Sequence, residues 1–306
     1  MGLLEAIILT IISASTPLLL AAAGELVVER AGVLNLGVEG MMIMGAACGF
    51  AGAYFTSSTF VGAACGALAG VGLAATFGAL TLGLAVNQVA AGLALTIFGI
   101  GLSGLIGAGF VGERIAAAPV LALPLLTSLP FAGRILFGQN AFVYLTVALV
   151  IGIWWFLYRT RAGLILRAIG DNPISAHALG YPVLKIRMLA VLFGGACAGI
   201  AGAYLPLAYT PFFVPGMTAG RGWIALALVV FASWRPGRVV AGAYLFGAVS
   251  ILQLYAQGAG LAIPSQLMSS LPYLATIVVL VVISRARSSG GSAAPASLGL
   301  VFVPDR

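Results

Sequence analysis

Charge is what this sequence has least of. Only 7% of its 306 residues are Asp, Glu, Lys or Arg, while 62% are hydrophobic. A soluble domain carries about 25% charged residues. No water-soluble globule of this size can bury so large an apolar fraction, because much of any globule's surface must face water. Lipid as the outer solvent removes the difficulty, and the mean hydropathy of +1.16 points the same way. Histidine occurs once and cysteine three times. Cys48, Cys65 and Cys197 lie inside apolar runs without metal-like spacing, so they read as packing residues and no metal site is expected. Seven acids and one histidine, widely scattered, argue against paired carboxylates, a metal cluster or a nucleophile–base set, and so against an enzyme. Gly-Lys-Ser/Thr is missing, which argues against ATP binding by a phosphate-binding loop in this chain. The net charge of +7 comes from basic residues at the ends of apolar runs, not from a basic stripe with interleaved aromatics. That is the pattern of a membrane protein and not of a nucleic-acid binder. The N-terminus turns apolar almost at once, with Glu5 in place of a basic region, so the first span is expected to be retained.

What is present is a set of long runs without any charge. They cover Gly40 to Gly112, Ile135 to Tyr158, Met188 to Gly220 and Val239 to Ser284, with a further apolar run from Ala6 to Gly24. A span needs roughly 20 apolar residues to cross a core of about 30 Å. The expectation is an all-α integral membrane protein with roughly eight to ten transmembrane helices. Arg159, Arg161, Arg167, Lys185 and Arg187 share one polar segment, which places 159–187 in the cytoplasm. Alternation then gives spans at 188–208, at 239–257 and at 267–284, with a shorter returning segment ending near Trp234. Arg235, Arg238, Arg285 and Arg287 meet the cytoplasmic side. Going backwards, 139–158 runs inward and 108–138, with Pro119, Pro124 and Pro130, is an external loop. Spans at 84–107, 60–82, 39–57 and 3–23 precede it; simple alternation puts the N-terminus outside, and a re-entrant piece at 24–40 would reverse that. Residues 1–287 form the transmembrane domain. The tail 288–306 begins Ser-Ser-Gly-Gly-Ser and reads as flexible or loosely attached. Glycines at small-residue spacing, such as Gly45, Gly49 and Gly52, read as helix-packing faces.

Three segments stand out. Glu29 to Gly40 alternates charge with Val and Leu between two spans. It reads as half-embedded irregular backbone, which survives only where protein or a water-filled cavity covers it. Asn35 and Glu39, four residues apart, would share a helix face and line or brace a polar path. An alternative is a cytoplasmic loop with its charges in the headgroups. Asn87 and Gln88 join them as candidates for the path or gate. Pro211 to Trp223 contains Arg221, an ionisable group in apolar surroundings that needs a partner or water. Only 13 residues separate Arg221 from Arg235, short for a span, so a half-helix is expected. Arg221 and Trp223 are path or gate candidates; the alternative is an arginine snorkelling to headgroups. Gly37–Ala46 aligns weakly with Ala219–Leu228. If the helices that follow run in opposite directions, this suits inverted halves whose broken helices meet centrally. The third segment is Arg167-Ala-Ile-Gly-Asp-Asn-Pro through Pro182. Asp171 or Asn172 can cap a helix with Pro173 in its first turn, and Gly180 suits its end. A lone helix over 173–179 is too short to be stable in water and needs a partner. His177 reads as a surface residue of that helix.

These three segments resemble the permease family of ABC importers for nucleosides, simple sugars, ribose and branched-chain amino acids. They are Glu29–Gly40 with Met41 and Met42; Arg167–Pro173 through Ala176 and Gly180; and Gly220–Ala227 through Pro236. The first and third look closest to the nucleoside and simple-sugar branch. With the apolar pattern, the resemblance covers about 3–285. One departure is Ala232, where glycine is expected before the Trp-Arg-Pro turn. The resemblance implies a location in the inner (plasma) membrane of a bacterial cell. It also implies a second related permease (a heterodimer before a homodimer), two ABC ATPase subunits and an extracytoplasmic solute-binding protein. ATP would be bound by the partner ATPase, with no cofactor on this chain. Arg167, Gly170, Asp171, Asn172, Pro173, Ala176, His177 and Gly180 would then form the ATPase-coupling segment. The alternative is a secondary transporter or channel working alone. Such carriers usually keep acids within their spans, and Glu39, near a span end, is the only one expected here.

Overall fold

In lipid, each backbone N–H and C=O must find its partner inside the segment, so an apolar run long enough to cross folds as a helix. The computed structural model describes residues 2–121, 132–258 and 294–304, with isolated positions between 267 and 281. The helices are α1 (Leu3–Arg30), α2 (Val38–Thr56), α3 (Thr59–Gly78), α4 (Gln88–Gly107), α5 (Ala132–Phe137) and α6 (Ala141–Arg159). They continue as α7 (Arg161–Asp171), α8 (Pro173–Ala178), α9 (Val183–Tyr204), α10 (Arg221–Phe231) and α11 (Pro236–Gly258). Among the described residues seven helices are long and apolar enough to span a membrane, and α10 is a shorter apolar helix. The expected span at 267–284 lies largely outside the described residues, as do Pro124 and Pro130 of the external loop.

The first span departs from its expected limits. The apolar pattern ends it at residue 23, yet α1 continues to Arg30 and carries Glu25 and Glu29 with it, both buried. At about 1.5 Å per residue, a helix of 28 residues reaches roughly 40 Å. Pro17 sits inside it and cannot donate to the Ser13 carbonyl one turn earlier. The hydroxyl of buried Tyr204 on α9 donates to that carbonyl instead, at 3.1 Å.

Helices α1 and α9 run antiparallel through the centre. Tyr204 meets Ser13, Gly24 touches Cys197 and Gly194, and Arg187 meets Ala31. α2 and α3 close against α9 through small residues. A Cβ on Gly199 would collide with the backbone of Gly66 and Gly70, and one on Gly45 with the backbone of Gly199. Apolar burial drives nothing between helices in lipid, so such close backbone approach supplies the dispersion that holds them.

The two long helices are each followed by a break and a helix that starts inside the protein. After α1 the chain turns at 31–37 and α2 begins at Val38. After α9 it passes through a π turn (Leu205–Tyr209) and an irregular stretch before α10 begins at Arg221. α2 and α10 run in opposite directions from this level. α1 packs on α10 and α11, and α9 packs on α2 and α3. That exchange of neighbours is what inverted halves produce. α10 has 11 residues, about 16 Å, half of the bilayer core. The segment 111–118 closes over 205–213, with Ala118 N donating to Leu207 O at 2.7 Å and Ile115 N to Pro211 O at 3.3 Å.

Candidate functional site

The starts of α2 and α10 meet at one carboxylate. Glu39, in the first turn of α2, is buried. Its Oε1 accepts from Thr218 Oγ1 at 2.6 Å and from Gly220 N at 2.9 Å; its Oε2 accepts from Gly222 N at 2.6 Å. Free N–H groups at a helix start carry partial positive charge, and Glu39 satisfies them from the opposite half. Gly222 is required for this approach, because a Cβ there would collide with the Glu39 backbone. Arg221 does not turn to the carboxylate. Its Nη1 donates to Met217 O at 2.9 Å and Thr218 O at 3.2 Å, and its guanidinium lies 5.9 Å from the Tyr209 ring. Trp223 is partly exposed and borders a cavity of about 400 Å³ with Gly220, Ile224, Leu228 and Phe246.

Below Glu39, the break 31–37 is tied down on every side. Asn35 is fully buried; its Oδ1 accepts from Gly37 N at 2.9 Å, and its own N donates to Glu25 Oε1 at 3.3 Å. Gln88 at the start of α4 accepts from Leu34 N at 2.8 Å, and Thr96 donates to Leu36 O at 3.0 Å. Asn87 stands apart: it is exposed and caps α4 by accepting from Ala90 N at 3.0 Å. At the inner end of α1, the Trp234 indole donates to Glu29 Oε2, while Arg30 donates twice to the Trp234 carbonyl, at 2.7 and 3.1 Å. The Trp-Arg-Pro turn is thus held by α1. Ala232 has a right-handed φ of −69°, so it needs no glycine. The left-handed residues of this turn are Ser233 and Trp234, at φ 53° and 55°.

The segment from Arg167 to Gly180 takes the form its residues dictate. Asn172, not Asp171, caps α8: its Oδ1 accepts from Ser175 N at 2.9 Å, with Pro173 opening the helix. Gly180 follows at φ +87°, a backbone geometry that disfavours side chains. Ala176 is buried, while Ile174 and Leu179 are 73% and 77% exposed. Arg167 stacks on Tyr158 at 5.1 Å. Gly170 lies against the backbone of Arg30 and Gly32, where a Cβ would not fit. The helix pair therefore touches the break between α1 and α2 directly.

A family profile described as branched-chain amino acid transport system / permease component matches residues 7–284. The chain belongs to this permease family. A putative glucose ABC transporter permease protein of Haloferax volcanii is 46% identical over 91% of this chain and 90% of its own length. A nucleoside ABC transporter permease protein of Lactococcus lactis is 30% identical over 99% and 98%. A guanosine ABC transporter permease protein of Bacillus subtilis is 30% identical over 87% and 88%. With seven apolar helices long enough to span among the described residues, family membership makes this permease a multi-pass protein of the plasma membrane.

Several residues of this permease's site went unmarked in the sequence. Glu25 and Glu29 are further acids within a span, contrary to the expectation that Glu39 stands alone. Each is met at one oxygen, Glu25 Oε1 by Asn35 N and Glu29 Oε2 by the Trp234 indole, while Glu25 Oε2 and Glu29 Oε1 are buried with no hydrogen-bond partner among the described residues. Thr218, Arg187, Trp234 and Ser297 also belong to the network. Residues 294–304, part of the tail expected to be loosely attached, are packed on α7, α8 and the start of α9: Ser297 is buried and Phe302 sits against Ile169, Ala176 and Val183.

Proposed function

We propose that the protein is the membrane-spanning subunit of an ATP-driven importer for a neutral polar solute, a simple sugar or a nucleoside. The observation that carries this reading is the contact between Gly170 and the α1–α2 break at Arg30 and Gly32. A partner ATPase gripping α8 through exposed Ile174 and Leu179 would move α7 and α8 as its nucleotide sites close. The backbone contact at Gly170 would pass that motion to 31–37, and from there to Glu39 and the start of α10. The two halves would then tilt about the Glu39 node and open the path to one side at a time. Asn35, Glu39 and Gln88 act in this scheme as braces of the moving break; Trp223 and Arg221 border the solute's route. A second related permease supplies the other wall, a binding protein delivers the solute, and ATP is bound and cleaved on the partner ATPase. No covalent step falls on this chain. The names of the relatives support sugar or nucleoside as solute classes.

The test is uptake by the complete transporter in proteoliposomes, with glucose and guanosine as probes. ATP-dependent uptake of either is expected in the wild type. Gly180→Trp is expected to abolish it while the protein stays in the membrane. Uptake that proceeds without any ATPase subunit, driven by a proton or sodium gradient, contradicts the reading.

A further inference from the structure

The tail segment 294–304 does more than cover α7, α8 and the start of α9. We infer that it is a clamp that fixes α7 and α8 to the α1–α2 break, and so sets how tightly nucleotide hydrolysis is coupled to solute movement. The inference rests on the coupling role proposed for α8.

The clamp is built around Arg187, which is fully buried. Its Nε donates to Ala31 O at 3.0 Å, on the break itself. Its Nη2 donates to Ser297 Oγ at 2.9 Å and its Nη1 to Leu300 O at 3.4 Å, both on the tail. Ser297 in turn donates from Oγ to Gly170 O at 2.6 Å and from its backbone N to the same carbonyl at 3.0 Å. Gly299 N donates to Gly32 O at 3.2 Å. One short segment thus bonds to the end of α7, to the break and to the foot of α9. Phe302 extends the grip to α8, with its ring 5.7 Å from the His177 ring and 6.0 Å from the Arg187 guanidinium.

Electrostatics explains why the segment cannot be incidental. A buried guanidinium is tolerated only when its N–H groups are satisfied. Among the described residues Arg187 donates to two carbonyls and one hydroxyl, and the tail supplies the Leu300 carbonyl and the Ser297 hydroxyl. Without the tail, Arg187 keeps only Ala31 O of these three, and Gly32 loses the Ser297 hydroxyl packed against it. α7 would then keep only its packing contact at Gly170 with Arg30 and Gly32, without the tail's hydrogen bonds to both sides, and would draw the break less tightly.

The experiment uses the complete transporter in proteoliposomes and reads ATP hydrolysis and solute uptake separately, with glucose or guanosine as probe. The variants are Ser297→Ala combined with Phe302→Ala, and deletion of 294–306. Hydrolysis is expected to continue while solute moved per ATP falls at least about fivefold, the lower end of coupling between sites. An unchanged ratio overturns the clamp, whether both rates stay or fall together, since a merely structural role would lower them in step. Should neither variant accumulate, Phe302→Ala alone is measured and read by the same ratio, because it leaves every Arg187 hydrogen bond in place. Gly180→Trp serves as the reference. If it too leaves the ratio intact, the coupling role of α8 itself fails; if it uncouples while the tail variants do not, only the clamp fails.

Discussion

At the scale of single residues, the account depends on buried polar groups whose partners come from distant parts of the chain. Glu39 receives three donors from 218–222. In Glu39→Gln the amide keeps one acceptor oxygen and turns an NH₂ toward a backbone N–H. A buried donor left unsatisfied costs about 1–3 kcal/mol. The expected outcome is a lower thermal unfolding temperature in detergent and loss of uptake with membrane insertion intact; an unfolding curve equal to wild type would contradict the node. Ser233 offers the opposite sign. It holds φ at 53° and buries a hydroxyl with no partner among the described residues. Ser233→Gly relieves both, so stability is expected to rise by about 1 kcal/mol, read as a rise in unfolding temperature of roughly 2 °C.

At the scale of elements, what could be read beforehand depended on whether its cause was local. The α8 turn was legible because Asn172, Pro173 and Gly180 carry their own capping and left-handed chemistry. The half-helix α10 was legible from the short gap between Arg221 and Arg235. The true end of α1 was not. A run containing Glu25 and Glu29 reads as leaving the membrane, and the groups that meet one oxygen of each, Asn35 N and the Trp234 indole, lie outside that run. The tail was missed for the same reason: Ser-Gly composition describes where it begins, but Ser297 and Phe302 are held by Gly170, Arg187 and His177. The glycine faces are packing surfaces, as their spacing indicates, and they yield an element-scale prediction. Gly199→Leu would drive a side chain into the backbone of α3. Overpacking of this kind has no rotamer to escape into, so α3 and α9 are expected to separate and the protein to be degraded or to aggregate. Normal accumulation of a monodisperse variant, followed by size-exclusion chromatography in detergent, would contradict the packing.

At the scale of the whole molecule, two antiparallel long helices carry inverted breaks that meet at Glu39, and one face gathers everything an energy source could grip. The feet of α9, α4 and α11, the end of α1, the α7–α8 pair and the packed tail all lie on that face. Its position follows from the basic residues at 159–187, and the importer reading requires it to be cytoplasmic. Labelling tests this directly. With Cys48, Cys65 and Cys197 replaced by alanine, Ile174→Cys places one thiol on the exposed side of α8. A membrane-impermeant maleimide is expected to label it in inside-out vesicles and not in intact spheroplasts. Labelling in the spheroplasts would put α8 on the outer face, out of reach of any ATPase, and would contradict the account at its base.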